Sequence, residues 1–228
     1  MKLCCDGCDY LTNVDDMGCR IWVVWNPKVY KVVDSVISQQ HRCCHVSKDG
    51  GLFWLSAIYG SNCSKERLDL WQSLKETRLK VGSAPWLLGG DFNILRFVED
   101  DAKGVPAKTE YMDMFNKCID EIEIDDFLAR GCKYTWCVNW KEINQSSLRK
   151  LDRIMCNEAC LYQFKTCEAF FETPGLSDHC SMLEVLNCPK PFRYQTFWEE
   201  HNTYKSIVEE TSLQSSEGYG QIKDNNLK

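Results

Sequence analysis

Histidine and proline are scarce in this sequence, with four His and six Pro in 228 residues. No apolar run approaches the ~18 residues that a membrane helix needs; the longest, around Leu52–Tyr59, reads as a buried strand. The low Gly and Pro content excludes fibrous and low-complexity chains. Met1–Tyr10 has no apolar core of the secretory kind, because Cys4, Cys5, Asp6 and Asp9 occupy its place. The expectation is a soluble intracellular protein, nuclear or cytoplasmic. An excess of positive charge is also lacking: Lys and Arg number 27 against 33 Asp and Glu, for a net charge of −6. That excludes a globally basic nucleic-acid coat. It does not exclude an enzyme of phosphate esters, whose acidic site recruits a metal cation to meet the phosphate.

What is present suffices for a real core. The chain is 44% hydrophobic, and its length fits one large domain or two small ones. Cysteine is abundant and odd in number, at 15. Without a secretory leader these read as reduced, mostly buried thiols rather than a disulfide scaffold. Cys5-Asp6-Gly7-Cys8 has metal-ligand spacing, with His41, Cys43, Cys44 and His45 downstream, but no paired spacing answers it in the second half.

Arg20–Trp25, Val29–Val33 and Ser35–Val46 read as consecutive antiparallel strands, separated by Asn26-Pro27 and Asp34. Gly50-Gly51 makes the next turn, and Leu52–Tyr59 reads as a central strand covered on both faces. Ser64 caps a predicted helix to about Leu79, with Leu68, Trp71 and Leu74 inward. Trp86-Leu87-Leu88 forms a short strand ending in Gly89-Gly90-Asp91. Thr109 caps a second helix carrying Met112, Phe115 and Ile119. Tyr134–Trp140, Leu151–Cys156 and Ser181–Leu186 read as further strands, with a short helix over Glu158–Phe164. The tally predicts an α/β sandwich of mixed sheets with helices outside.

Few places offer polar groups at the end of a buried strand. Gly90-Asp91-Phe92-Asn93 delivers a carboxylate and a carboxamide two residues apart, which share a side if the segment stays extended; the alternative is an Asx-turn closing the strand. Asp152, within Leu151-Asp152-Arg153, needs a partner if buried, either a neighbouring Arg or a histidine whose tautomer it fixes. His179, in Ser177-Asp178-His179, lies in a loop before an apolar strand, unlike His41 and His45 in a strand-like run and His201 in the polar C-terminal part. Tyr59-Gly60-Ser61-Asn62 ends the most apolar strand. Glu99, Asp100 and Asp101 read as a solvated acidic loop, and Trp136 as a core residue.

Taken in order, Tyr59-x-x-Asn62, Gly90-Asp91-Phe92-Asn93, Tyr134-Thr135-Trp136, Leu151-Asp152-Arg153 and Ser177-Asp178-His179 resemble the serial motifs of the endonuclease/exonuclease/phosphatase superfamily. The texture is most similar to plant LINE-type retrotransposon endonuclease domains. Gly18-Cys19-Arg20-Ile21-Trp22-Val23-Val24-Trp25-Asn26-Pro27 resembles a stretch of that group, and Pro191-Phe192-Arg193-Tyr194 resembles the lead toward a reverse transcriptase. The resemblance implies a four-layer α/β sandwich with two mixed, mainly antiparallel β-sheets flanked by helices. It implies a Mg²⁺-dependent (or Mn²⁺-dependent) phosphodiesterase whose partner is DNA, with no membrane.

By the same resemblance, Asp91 orients or deprotonates the attacking water and Asn93 holds water and phosphate oxygen. His179 contacts the phosphate, Asp152 fixes His179, Tyr59 and Asn62 line the phosphate pocket, and Asp178 with Asp91 forms the metal end. The family pattern also has a first-strand Asn and a metal-binding Glu upstream. This chain reads as starting after both: Asn13 is not in that context and Met1–Met17 contains no Glu. The expectation is therefore a fold lacking its first strands and an impaired nuclease. The alternatives are a non-catalytic remnant with weak or no nucleic-acid binding, or a phosphatase of a small phosphate ester. The domain reading is an irregular segment 1–17, the nuclease-like domain 18–188, a linker-like segment 189–211 and a disordered tail 212–228.

Overall fold

The computed structural model describes residues 7–13, 19–104, 109–139, 147–165, 168–175 and 177–185. The chain divides into two compact units, Met1–Cys188 and Pro189–Lys228. The segments 189–211 and 212–228, with His201 and the Pro191–Tyr194 stretch, lie outside the described residues, as do Cys5 and Gly18.

Five consecutive strands open the first unit: β1 (Asp9–Thr12), β2 (Trp22–Trp25), β3 (Lys31–Ile37), β4 (His41–Lys48) and β5 (Gly51–Tyr59). Helix α1 (Arg67–Val81) leads to β6 (Trp86–Asp91), and a single 3₁₀ turn (Val98–Asp100) precedes α2 (Glu110–Glu121). Short strands β7 (Asp125–Asp126), β8 (Ala129–Gly131), β9 (Trp136–Cys137) and β10 (Leu148–Arg149) follow. The unit continues with β11 (Asp152–Cys156), α3 (Glu158–Gln163), β12 (Glu168–Phe171) and β13 (Met182–Val185).

Among the described residues the largest sheet has six strands in the order β3-β4-β5-β6-β11-β7. Only β5 and β6 run parallel in it, which is why α1 stands between them as the crossover. A three-stranded sheet, β13-β12-β8, and the ribbons β1-β2 and β9-β10 complete the strands. The chain is thus a layered α/β fold with mixed sheets, as the alternation of strand and helix signals predicts.

Strand β6 shows why the sheet sits in the middle. Its pleat sends Trp86 and Leu88 to one face, where with Ile58 and Met155 they meet Leu70, Trp71 and Leu74 of α1 and Phe115 and Ile119 of α2. The Trp71 and Phe115 rings stack at 4.7 Å between the two helices. Leu87 and Ile154 point the other way, toward Cys160 of α3 and Ala169 of β12. Fully buried His41 is paired, lying between the hydroxyls of Ser73 (3.0 Å) and Ser56 (2.8 Å). Burial lowers its pKa to about 4, so it is a neutral structural histidine. Of the eleven described cysteines seven are buried.

Several local expectations need correction. The segment 1–17, expected to be irregular, contributes β1, which pairs with β2 in register Tyr10↔Val24. The break between β3 and β4 falls at 38–40 rather than at Asp34, where a bulge shifts the register and keeps the strand going. Strand β5 is not covered on both faces throughout; Leu52 is 51% exposed. Helix α1 starts at Arg67 because the Ser64 hydroxyl accepts from the Arg67 guanidinium (3.0 Å) instead of capping, which leaves Leu68 outside and turns Leu70 inward. Thr109 does cap α2, its hydroxyl accepting from the Met112 N–H at 3.2 Å. The strand expected over Tyr134–Trp140 contracts to β9.

The acidic run after β6 is also not a solvated loop, since only Glu99 is exposed while Asp100 and Asp101 are buried. Asp100 accepts from the Arg96 and Phe97 N–H groups (2.9 and 2.8 Å) and from fully buried Arg153. Arg153 also pairs with Asp126 at 2.8 Å, and Arg96 joins Asp125 and Asp126. The network ties the segment after β6 to β11 and β7, directly beneath the end of the sheet. Removing one member of a buried ion network leaves its partners charged and unpaired. Arg153→Ala is therefore expected to lose about 3–5 kcal/mol of stability. Arg149→Ala, which breaks a half-exposed pair with Asp101, is expected to lose about 1 kcal/mol or less. Urea unfolding of both variants measures the contrast, and equal losses would contradict it.

Candidate active site

Three strands end together at one edge of the large sheet. Tyr59 of β5 is in parallel register with Asp91 of β6, and Asp91 is directly opposite Asp152 of β11. Two buried carboxylates are thus set side by side by strand pairing alone. Gly90 makes the approach possible. Its φ is 145°, and a Cβ there would lie 2.0 Å from the Ile58 carbonyl oxygen.

Beyond Asp91 the strand stops. The Asn93 N–H donates to Asp91 Oδ1 at 2.8 Å, an Asx-turn, and Asn93 adopts a left-handed φ of 52° that Asn tolerates. Its side-chain Nδ2 donates to Asp91 Oδ2 and to the Gly60 carbonyl, both at 2.8 Å. Asp91 and Asn93 therefore meet through a turn, not through the pleat of an extended segment. The turn alternative and the functional juxtaposition turn out to be the same structure.

His179 comes from another part of the chain. Its backbone bridges Trp136 in antiparallel fashion, while Cys180 N–H donates to Thr135 O (2.7 Å) and Cys137 N–H to Asp178 O (3.0 Å). This seats the half-buried imidazole so that Nδ1–H donates to Asp152 Oδ2 at 2.8 Å, with Nε2 3.9 Å from Asp91 Oδ2. Fully buried Thr135 holds the other side, its hydroxyl accepting from the Leu151 and Asp152 N–H groups at 3.1 and 2.9 Å. Thr135 lies within the Tyr134-Thr135-Trp136 motif, and its supporting role is set by these two hydrogen bonds.

The ion pair considered for Asp152 belongs instead to its neighbour Arg153, which points into the network below. Trp136 is not core; it is half-buried at the rim, its indole N–H donating to Asp178 Oδ2 at 3.1 Å. Asp178 is exposed there. Tyr59 is 36% exposed, with the Arg20 guanidinium 5.7 Å from its ring centre. Asn62 is exposed on a loop whose Ser61 and Asn62 carbonyls accept from buried Arg67 (2.6 and 3.2 Å). Arg67, which sequence reasoning missed, thus holds that loop and places a positive charge within electrostatic reach of Asp91.

Asp91, Asp152 and His179 each offer a ligand atom within 4.8 Å of the others. Hard carboxylate oxygens suit a divalent cation such as Mg²⁺. The electrostatics fit as well: burial, and then the charge of Asp152, raise the Asp91 pKa to about 6, despite the opposing effects of Asn93, His179 and Arg67. The hydrogen bond to Asp152 raises the pKa of His179. Two acids that repel and one proton-holding histidine form a site able to accept a cation or share a proton.

The whole described fold is similar to solved structures at low sequence identity. The endonuclease domain of TRAS1, a telomere-specific non-LTR retrotransposon, aligns with a TM-score of 0.62 at 14% identity, over 81% of this chain and 82% of that one. The fold is the endonuclease/exonuclease/phosphatase fold. A functionally unknown conserved protein from Enterococcus faecalis V583 shares it at TM-score 0.51 and 16% identity, over 79% of this chain and 77% of that one. Truncated Caenorhabditis elegans TDP2 aligns at TM-score 0.50 and 13% identity, over 77% and 74%. No protein-family model and no curated protein matches the sequence.

The raised pKa values carry a stability consequence of definite sign. Native Asp91 keeps its proton up to about pH 6, whereas an unfolded Asp releases it near pH 3.8, so stability falls as pH rises through that window. His179 acts in the same direction, its contribution being full below pH 6.5 and lost as pH rises through its raised value. Without added metal, Asp91→Asn is expected to stabilise the protein by about 1–3 kcal/mol at pH 7.5 and to leave it unchanged near pH 4. Thermal unfolding in EDTA at the two pH values measures this; a destabilised variant at pH 7.5 would contradict it.

Proposed function

We propose that the chain is a divalent-cation-dependent phosphodiesterase of the LINE-type endonuclease kind, acting on DNA. The observation that carries the reading is the Asp152–His179–Asp91 array, with one imidazole nitrogen bound to Asp152 and the other turned toward Asp91. Asp152 fixes the tautomer and orientation of His179, so that Nε2 can hold a proton against a phosphoryl oxygen. Asp91, fixed by Asn93 and facing His179, is the group that orients a water for in-line attack. Asn93 keeps its carboxylate from rotating. In this reading Tyr59, in register with Asp91, and Asn62 on the loop that follows it line the phosphate pocket, and Asp178, held by the Trp136 indole, belongs to the metal end. The fold shared with a retrotransposon endonuclease domain supports the same reading.

Mg²⁺ or Mn²⁺, when bound, supplies neutralisation of the charge that develops on the phosphoryl oxygens. Asp91, with Asp152 beside it, would hold it. Among the described residues no further acid joins this cluster.

Nicking of supercoiled plasmid in millimolar Mg²⁺ tests the proposal. Activity is expected to vanish in EDTA and to fall by roughly 100-fold or more in both Asp91→Ala and His179→Ala. Nicking that persists in both variants would overturn it. Inactivity of the native protein, together with no Mg²⁺-dependent rise in melting temperature, would favour a non-catalytic remnant instead.

A further inference from the structure

At the far end of β5 from Tyr59, the loop between β2 and β3 and the turn between β4 and β5 border an open, shallow cleft of about 480 Å³. Lys28, Lys31 and Lys48 line it, and Asp49 is its one acidic side chain. A local excess of cations is unusual in a chain of net charge −6. The lysines are interleaved with apolar and aromatic surface. Lys48 Nζ lies 5.3 Å from the Tyr30 ring centre, and Leu52 is 51% exposed on the same wall.

The Gln163 amide of α3 lies 3.6 Å from where a Cβ on Gly51 would stand, beside the turn between β4 and β5. Lysine ammonium groups spaced along a groove follow a phosphate backbone, and aromatic faces between them receive bases without sequence preference. The nine residues of β5 separate this cleft from Asp91 by about 25 Å. In a duplex the base faces are stacked inside, so the aromatic and apolar wall between the lysines suits a single strand.

We propose that this cleft binds single-stranded nucleic acid, Lys28, Lys31 and Lys48 holding successive phosphates and the Tyr30–Leu52 wall accepting a base. The site is independent of the nuclease reading, and its test is kept separate from it. Fluorescence anisotropy of the full chain in EDTA, with labelled 20-nucleotide oligo(dT) and oligo(U), reads the binding directly.

Lys28→Glu/Lys31→Glu/Lys48→Glu is expected to weaken binding at least tenfold. It should also lower the slope of log K against log salt by about 2, at roughly 0.7 per lost phosphate contact. The milder Lys28→Gln/Lys48→Gln variant, which removes charge without reversing it, is expected to lower the slope by about 1.4 on the same count. Lys117→Glu, at an exposed position of α2 away from the cleft, is expected to bind as tightly as the native chain. Binding of either oligonucleotide that the Lys28, Lys31 and Lys48 variants weaken supports the site, and the tighter one identifies the sugar. Three results would overturn it: unchanged affinity in both cleft variants, an equal loss of binding in Lys117→Glu, or displacement of oligo(dT) by a poly-glutamate peptide of equal charge.

Discussion

The register of β6 against β11 is the constraint on which the rest of the site depends. Antiparallel pairing puts Asp91 directly opposite Asp152, whose charge opposes the ionisation of Asp91. Burial makes the repulsion stronger. The surroundings offset it at each oxygen: Asn93 donates twice to Asp91, His179 donates to Asp152, and Arg67 lends a positive charge from the neighbouring loop. A shift of one residue in that register would point one carboxylate to the opposite face of the sheet and dissolve the cluster.

Below the cluster, the buried network of Arg153 with Asp100 and Asp126 works as an anchor for that register. It joins the segment after β6 to β11 and β7, the strands that must stay aligned. Alternation along β11 separates the two tasks: Asp152 serves the site and Arg153 the scaffold. Charge pairs of this kind contribute more to the uniqueness of an arrangement than to its net stability, since desolvation opposes the attraction. The site itself is the destabilised part, with a carboxylate held near pKa 6 in the absence of a cation. Such local cost is typical where chemistry is carried out.

Much of this was legible in the residues. Motif order, the strands around Leu52–Tyr59 and Trp86–Asp91, the Thr109 cap and the inward face of α2 all follow from local rules of periodicity and capping. What local rules misjudged were positions with competing partners. Ser64 was free to cap but was taken by Arg67, and Asp34 marked a bulge instead of a turn. Asp100 and Asp101 resemble a solvated loop until the buried arginine that claims Asp100 is known, because one sequence does not reveal which distant cation meets which acid. Trp136 was misplaced for the same reason: its indole finds Asp178, 42 residues away, at the surface.

By itself the sequence determined the kind of fold and the list of side chains able to do chemistry, since hydrophobic period, turn residues and residue type are properties of short segments. Tertiary structure alone decided that Asp91, Asp152 and His179 converge within 4.8 Å, that Asn93 reaches Asp91 through a left-handed turn, and that Asp178 stays at the rim. Convergence of that sort depends on strand register and on the closing of long loops, which are set by the summed packing of the whole core and not by any stretch of the chain.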